Sequence, residues 1–259
     1  MKTLKDFQRL AASGEFNRLM AEGVADAIAE SRALGFPVKA HLDSDHVPAA
    51  ANFGCTLTLV RHGQSLANAG GLTMPHADIP LTDEGHAQAA ALARVLPGSP
   101  ALVLTSPFLR AQQTATPYCE RTGMAARVET LLQEFDAIDP ALLQGMDGAQ
   151  RRPIADAFWQ ASDAHARMGG AAETFHEFGQ RVQRFIDDVL PTLPDGTVAF
   201  GHGQWIAMLC WKLLGLGLDD GAAMRRFRLF SSGLPLHNGA IWRVYRLPAG
   251  GWHMRAATS

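Results

Sequence analysis

Three short apolar runs in this sequence stop abruptly at polar residues that a protein interior would not choose. Thr56-Leu57-Thr58-Leu59-Val60 ends in Arg61-His62-Gly63, and Thr197-Val198-Ala199-Phe200 ends in Gly201-His202-Gly203. Ala101-Leu102-Val103-Leu104 leads through Thr105-Ser106-Pro107 into a helix carrying Arg110. Each run has the length and composition of a buried strand. Helical stretches separate them. Thr82 caps one that starts Asp83-Glu84 and runs to about Leu96, its acidic residues placed where the helix dipole favours them. Thr174-Phe175-His176-Glu177 has the capping-box pattern and opens another helix to about Leu190. An apolar helix follows Gly203 to about Leu214, and Asn238-Gly239 precedes a last strand, Ala240 to Tyr245. Strands alternating with helices predict an α/β fold: a three-layer α/β/α sandwich around a mostly parallel central sheet.

Residues 1–54 differ in character and read as a helical N-terminal extension with a linker. Phe16, Leu19, Met20, Val24, Ala27 and Ile28 fall at helical spacing, and Leu34-Gly35-Phe36-Pro37 is a stop signal. A lone apolar stripe must be covered, by the following domain or by a partner chain. Adjacency in the chain favours the following domain, residues 55–259.

Composition removes several classes of function. Of 259 residues, 47% are hydrophobic and 19% charged, which excludes a disordered chain. A net charge of -2 argues against binding to nucleic acid or a membrane surface. No apolar run reaches the roughly 18 residues that span a bilayer, and the N-terminus has no apolar signal region. Cys55, Cys119 and Cys210 are odd in number and widely spaced, as expected of reduced thiols in a cytoplasmic protein. Only four of the 23 basic residues are Lys, and Arg is the better planar fork for phosphate or carboxylate.

In open α/β sheets the ligand site lies beyond the carboxyl ends of the strands. The topology therefore gathers Arg61, His62, Arg110 and His202 into one pocket. One histidine at a strand end is ordinarily structural. The coincidence of four such groups, each at a strand exit, reverses that reading and points to a ligand site.

With these motifs the sequence resembles the histidine phosphatase superfamily, also called the phosphoglycerate mutase-like family. The resemblance rests on Arg61-His62-Gly63-Gln64-Ser65 with Asn68, on Pro80-Leu81-Thr82 with Gly85 and Gln88-Ala89, and on Ser106-Pro107 with Arg110-Ala111 and Thr114-Ala115. It continues through Glu134 to Gly201-His202-Gly203, in the family's order over roughly residues 55–215. It implies that 55–259 is a catalytic domain in which His62 forms a phosphohistidine. A nucleophilic imidazole must be neutral, and the flanking guanidiniums of Arg61 and Arg110 disfavour its protonation. They would also grip the phosphate, with His202 donating to the transferring group and Asn68, Gly203 and the Gly63 amide as further contacts. Glu134 would be the general acid, with Glu129 and Asp136 as nearby rivals that read as solvated surface charges. No metal or cofactor is implied, and the remaining histidines show no ligand spacing. The expected partner is a small phosphorylated substrate, with a phosphoprotein as a larger alternative; the oligomeric state stays open.

A phosphoglycerate mutase is the nearest alternative. Mutases of the family usually carry Glu where this chain has Gln64, and a Tyr-Gly segment soon after the acid, absent from Phe135-Asp136-Ala137-Ile138. A non-catalytic phosphate-binding module is disfavoured by the intact set of five site residues. Specificity is expected from residues 136–172. There Arg151-Arg152 is either a second anion contact or a solvated pair, and Phe158-Trp159 either stacks on a leaving group or packs in the core.

Overall fold

The computed structural model describes residues 56–218, 222–247 and 251–257. The extension expected over residues 1–54 and Cys55 lie outside them. In chain order the principal elements are β1 (Thr56–Arg61), α1 (Asp83–Val95), β2 (Leu102–Thr105), α2 (Leu109–Thr122), β3 (Ala126–Val128), α3 (Gly148–Ala161) and α4 (Phe175–Arg184). They continue with β4 (Thr197–Gly201), α5 (Gly203–Leu213), α6 (Ala223–Gly233), β5 (Ile241–Arg246) and β6 (Trp252–Ala256). The six strands form one sheet in the order β3-β2-β4-β1-β5-β6. The first four are parallel, and β5 and β6 add an antiparallel edge. The expected α/β sandwich is present.

Side chains that alternate along each strand separate two cores. Leu57, Leu59, Leu104 and Ala199 face one side, where α4, α5 and α6 bury Phe178, Trp205 and Phe227. Val60, Val103, Val198 and Phe200 face the other, against Leu92 of α1 and Ala115 and Tyr118 of α2. Phe158 belongs to the first core, in a ring cluster where Phe135 stacks on Phe178 at 4.7 Å between centroids. Trp159 lies edge-on to Phe158 and Phe175 and stacks on Phe227. Both aromatics therefore serve packing rather than a leaving group.

The local signals hold with adjustments. Both the Thr82 cap and the Thr174–Glu177 capping box form. The helix expected to reach Leu190 leaves α geometry at Arg184, passing through a π turn (Phe185–Val189) and a 3-10 turn (Leu190–Thr192). Pro191 has no N–H to continue the ladder. Cys119 and Cys210 are free thiols. No described helix is long and apolar enough to cross a membrane.

The loop after β1 lies directly against the start of α1. A Cβ on Gly85 would sit 2.0 Å from the Gln64 carbonyl oxygen, and one on Gly63 would sit 2.5 Å from the Gly85 oxygen. Only glycine permits this approach. Gly85→Ala should therefore destabilise the fold by about 1–3 kcal/mol, read as a lower urea midpoint, because backbone rather than a side chain must move.

Candidate active site

The register of the parallel strands brings three polar segments to one level. Arg61 pairs with Gly201 and Thr105 with Phe200. One residue further, His62 N–H donates to the Gly201 carbonyl at 3.0 Å and Ser106 N–H to that of Phe200 at 2.9 Å. His62, Ser106 and His202 thus leave adjacent strands together, and the His62 and His202 rings meet edge-on at 5.2 Å.

His62 is 3% exposed and His202 fully buried. His62 Nδ1 lies 2.7 Å from the Gly63 carbonyl, an acceptor only, so Nδ1 carries the proton. That leaves the Nε2 lone pair, which receives the Nε–H of Arg110 at 3.2 Å. Burial, then the Arg110 cation, pushes the His62 pKa down to about 3; the Gly63 hydrogen bond opposes this and Arg61 adds to it. His202 is likewise held well below its ordinary value, by burial first and then by Arg110. The guanidiniums act as the sequence suggests, but desolvation is the larger cause. His202 Nε2 sits 2.8 Å from the Ser106 hydroxyl, which also accepts from Phe108 N–H at 3.3 Å. The Ser106 O–H then points to Nε2, which places the His202 proton on Nδ1.

Arg110 is anchored by donating to the His76 carbonyl at 2.7 Å, and its guanidinium lies 4.9 Å from the Phe108 ring centre. Burial lowers its pKa to about 10 and lowers that of Arg61 as well, while Glu134 opposes both shifts. Arg61 donates to the Leu236 carbonyl. A Cβ on Gly203 would lie only 3.2 Å from Arg61 Nε, so glycine gives this guanidinium its room. Arg61 Nε and His202 Nδ1 are both buried with no hydrogen-bond partner among the described residues. Two orphaned N–H groups beside two cations make a site that asks for an oxyanion.

Glu134 is half-buried and caps the N-terminus of α5. Its Oε2 accepts from Gln204 N–H at 3.1 Å, and its Oε1 from the N–H groups of Trp205 and Phe135, both at 3.0 Å. Glu129, the rival acid, caps a 3-10 turn by accepting from Leu131 N–H. Asp136 is not a solvated charge: it faces Nδ1 of His76. Burial, then Arg110 and Arg151, pushes the His76 pKa down to about 4, with Asp139 opposing.

One minor contact differs from expectation. The Gly63 amide is already given to Thr114 Oγ1 at 3.0 Å, which ties this turn to α2. Asn68 Oδ1 accepts from Ser65 N–H and Oγ–H and from Asn238 Nδ2. Its own amino group is the end left for a ligand. Sequence reasoning missed three supporting residues. Asn238 donates to the His62 and Gly63 carbonyls, and Ser106 sets His202. Buried Arg181, paired with Glu173, donates to the carbonyls of Leu131, Gln133 and Glu134. The Asn238-Gly239 turn and the Ser106-Pro107 dipeptide were visible, but not what they would meet.

Among the described residues, no three His, Cys, Asp or Glu side chains gather into a set that could hold a metal ion.

Known proteins resemble this chain in sequence and in fold. The adenosylcobalamin/alpha-ribazole phosphatase of Escherichia coli K12 is 36% identical over 175 residues, 67% of this chain and 84% of that protein. The glucosyl-3-phosphoglycerate phosphatase of Mycobacterium tuberculosis is 30% identical over 181 residues, 65% and 79% of the two chains. A probable phosphoglycerate mutase of Yersinia enterocolitica is 30% identical over 182 residues, 66% and 79%. The native structure of the mycobacterial glucosyl-3-phosphoglycerate phosphatase superposes with a TM-score of 0.61 at 26% identity, over 78% of this chain and 98% of that one. Residues 57–234, more than half the chain, match the family model, and the protein belongs to the histidine phosphatase superfamily, branch 1.

Proposed function

We propose that the protein is a metal-independent phosphatase that hydrolyses small phosphomonoesters through a phosphohistidine on His62. The observation that carries this is the neutral His62 imidazole, its Nε2 lone pair facing Arg110 and its Nδ1 fixed on Gly63. The relatives named as phosphatases support hydrolysis rather than mutase chemistry. Gln64, at the position where mutases usually carry Glu, is engaged with Thr82 and Gln88.

Phosphoryl transfer is mostly positioning and neutralisation of charge on the equatorial oxygens. Arg61 and Arg110 hold those oxygens, and the orphaned N–H groups of Arg61 Nε and His202 Nδ1 supply further donors. Asn68 and the amide of Gly203, the first residue of α5, complete the cradle. Nε2 of His62 attacks phosphorus as the bond to the ester oxygen breaks. Glu134 passes a proton to that departing oxygen. It next takes a proton from water, whose oxygen attacks phosphorus, breaks the N–P bond and releases inorganic phosphate. The relatives' names suggest sugar-acid and nucleoside-like phosphates as the substrate range; a phosphoprotein would need the same cradle at a more open surface.

Rapid quench with a phosphorylated substrate should trap acid-labile phosphate on His62, and His62→Ala should abolish turnover while keeping the wild-type unfolding midpoint. Turnover by His62→Ala would remove the proposal. Because the His62 pKa is lowered, the residue remains neutral as pH falls from 6.5 toward 3. The acid limb of kcat/KM should therefore show no His62 titration near 6.5; a limb that disappears in His62 variants at that pH would contradict the geometry.

Glu134 is separable by leaving group. Glu134→Gln should cost about 10²–10⁴-fold on an alkyl phosphate, whose alkoxide cannot leave unprotonated. The penalty should shrink markedly for p-nitrophenyl phosphate. The Gln side chain also loses part of the α5 cap, which would weaken both substrates alike, so equal penalties would assign Glu134 a structural role only.

A further inference from the structure

Beside the reaction site lies a wide cleft of about 1200 Å³ between the loop after β1 and helices α3 and α6. His62 does not line it. It reaches the site at Asn68 and at Arg228, which also lines a smaller cavity of about 170 Å³ with Arg61, Glu134 and Gly203. Arg228 thus stands at the junction of the two spaces.

Three arginines line the cleft, and they are not equivalent. Arg151 is committed: its guanidinium donates to the carbonyls of Gly71 and Met146 and to Thr73 Oγ1, tying the loop after β1 to α3. Arg152 is exposed, and no carboxylate lies within ion-pair distance of it among the described residues. The same holds for Arg228, whose guanidinium lies over the Trp159 ring, 5.0 Å from its centre. Stacking on an indole orients a guanidinium and leaves its edge donors open. The lining also contains one carboxylate, Asp156, so the local balance stays positive.

We infer that Arg228 and Arg152 form a subsite for a second anionic group, so that the preferred substrate is a phosphomonoester bearing a carboxylate or another phosphate some distance from the scissile one. This rests on the phosphatase reading above. It adds what that reading lacks, a reason for the open cationic space that Arg228 joins to the cavity lined by Glu134. The Arg228 fork matches either anion. Trp159, buried on its other faces in the ring cluster, fixes where that fork sits.

The test compares substrates matched except for the distal group: 6-phosphogluconate against sorbitol 6-phosphate for a carboxylate, and glucose 1,6-bisphosphate against glucose 6-phosphate for a phosphate. Wild-type enzyme should prefer the anionic member of at least one pair by about tenfold in kcat/KM, mostly through KM, as one charge-assisted hydrogen bond supports. The pair that responds identifies the anion. Arg228→Gln and Arg152→Gln should each reduce that ratio, and the double variant should bring it near one. Reading the ratio within a pair cancels any loss shared by both substrates. No preference in either pair, or a preference that survives the double substitution, would overturn the subsite. Failure of the wild type to hydrolyse p-nitrophenyl phosphate would be a different result: it would remove the phosphatase reading, and the subsite with it.

Discussion

Parallel pairing of β4 with β1 on one side and β2 on the other sets where every reactive group can be. The register places Arg61 beside Gly201 and Thr105 beside Phe200, and the next residue of each strand is the first to point out of the sheet into the site. A slip of one residue would exchange the two faces of a strand. It would carry Val60 and Phe200 away from the core of α1 and α2, and would move His62 and His202 out of contact. The apolar alternation that holds the sheet together is thus the same constraint that holds the two imidazoles 5.2 Å apart.

Electrostatically the site is built at a cost. Two guanidiniums and two imidazoles share a buried space in which Glu134 is the carboxylate that both arginines feel. The histidines respond by staying neutral, as burial beside cations requires. The arginines do not shed their charge in this way, and Arg61 keeps its Nε–H unsatisfied, as His202 does its Nδ1. An oxyanion would satisfy those donors and compensate the charge together. The neutral imidazoles and the guanidiniums beside them are two results of one arrangement, not separate devices.

Much of this was legible in the sequence, because it depends on local signals. The three strand exits, the Thr82 and Thr174 caps and the apolar helix after Gly203 each follow from a few adjacent residues. The elements that escaped have weak local signals. Strand β3 has three residues at the sheet edge, mostly exposed, and β6 exists only by pairing with β5. Helix α3 contains Pro153 and Gly148, which argue against a helix, although its Asp147–Gln150 capping box was readable. Helix α6 carries a buried stripe of Ala223, Met224 and Phe227 among arginines, and with it Arg228 remained out of view. Ser106, Asn238 and Arg181 could not be assigned from sequence because the site residues they hold lie 47 to 176 positions away.

The N-terminus of α5 ties these observations together. His202 is its N-cap residue, Gly203 opens it, and Glu134 accepts from its Gln204 and Trp205 N–H groups. A helix N-terminus favours negative charge, so this helix end holds the Glu134 carboxylate beside the site. Glu134 is fixed from the other direction by Arg181, which grips the carbonyls of Leu131, Gln133 and Glu134 itself. Arg181 can be buried there because Glu173 neutralises it through two hydrogen bonds, at 2.8 and 2.7 Å. Glu173 directly precedes the Thr174 cap that starts α4. The position of the proposed proton donor therefore depends on where a helix on one face of the sheet begins. That dependence explains why a carboxylate on an irregular segment can serve chemistry that needs a fixed distance to the leaving oxygen.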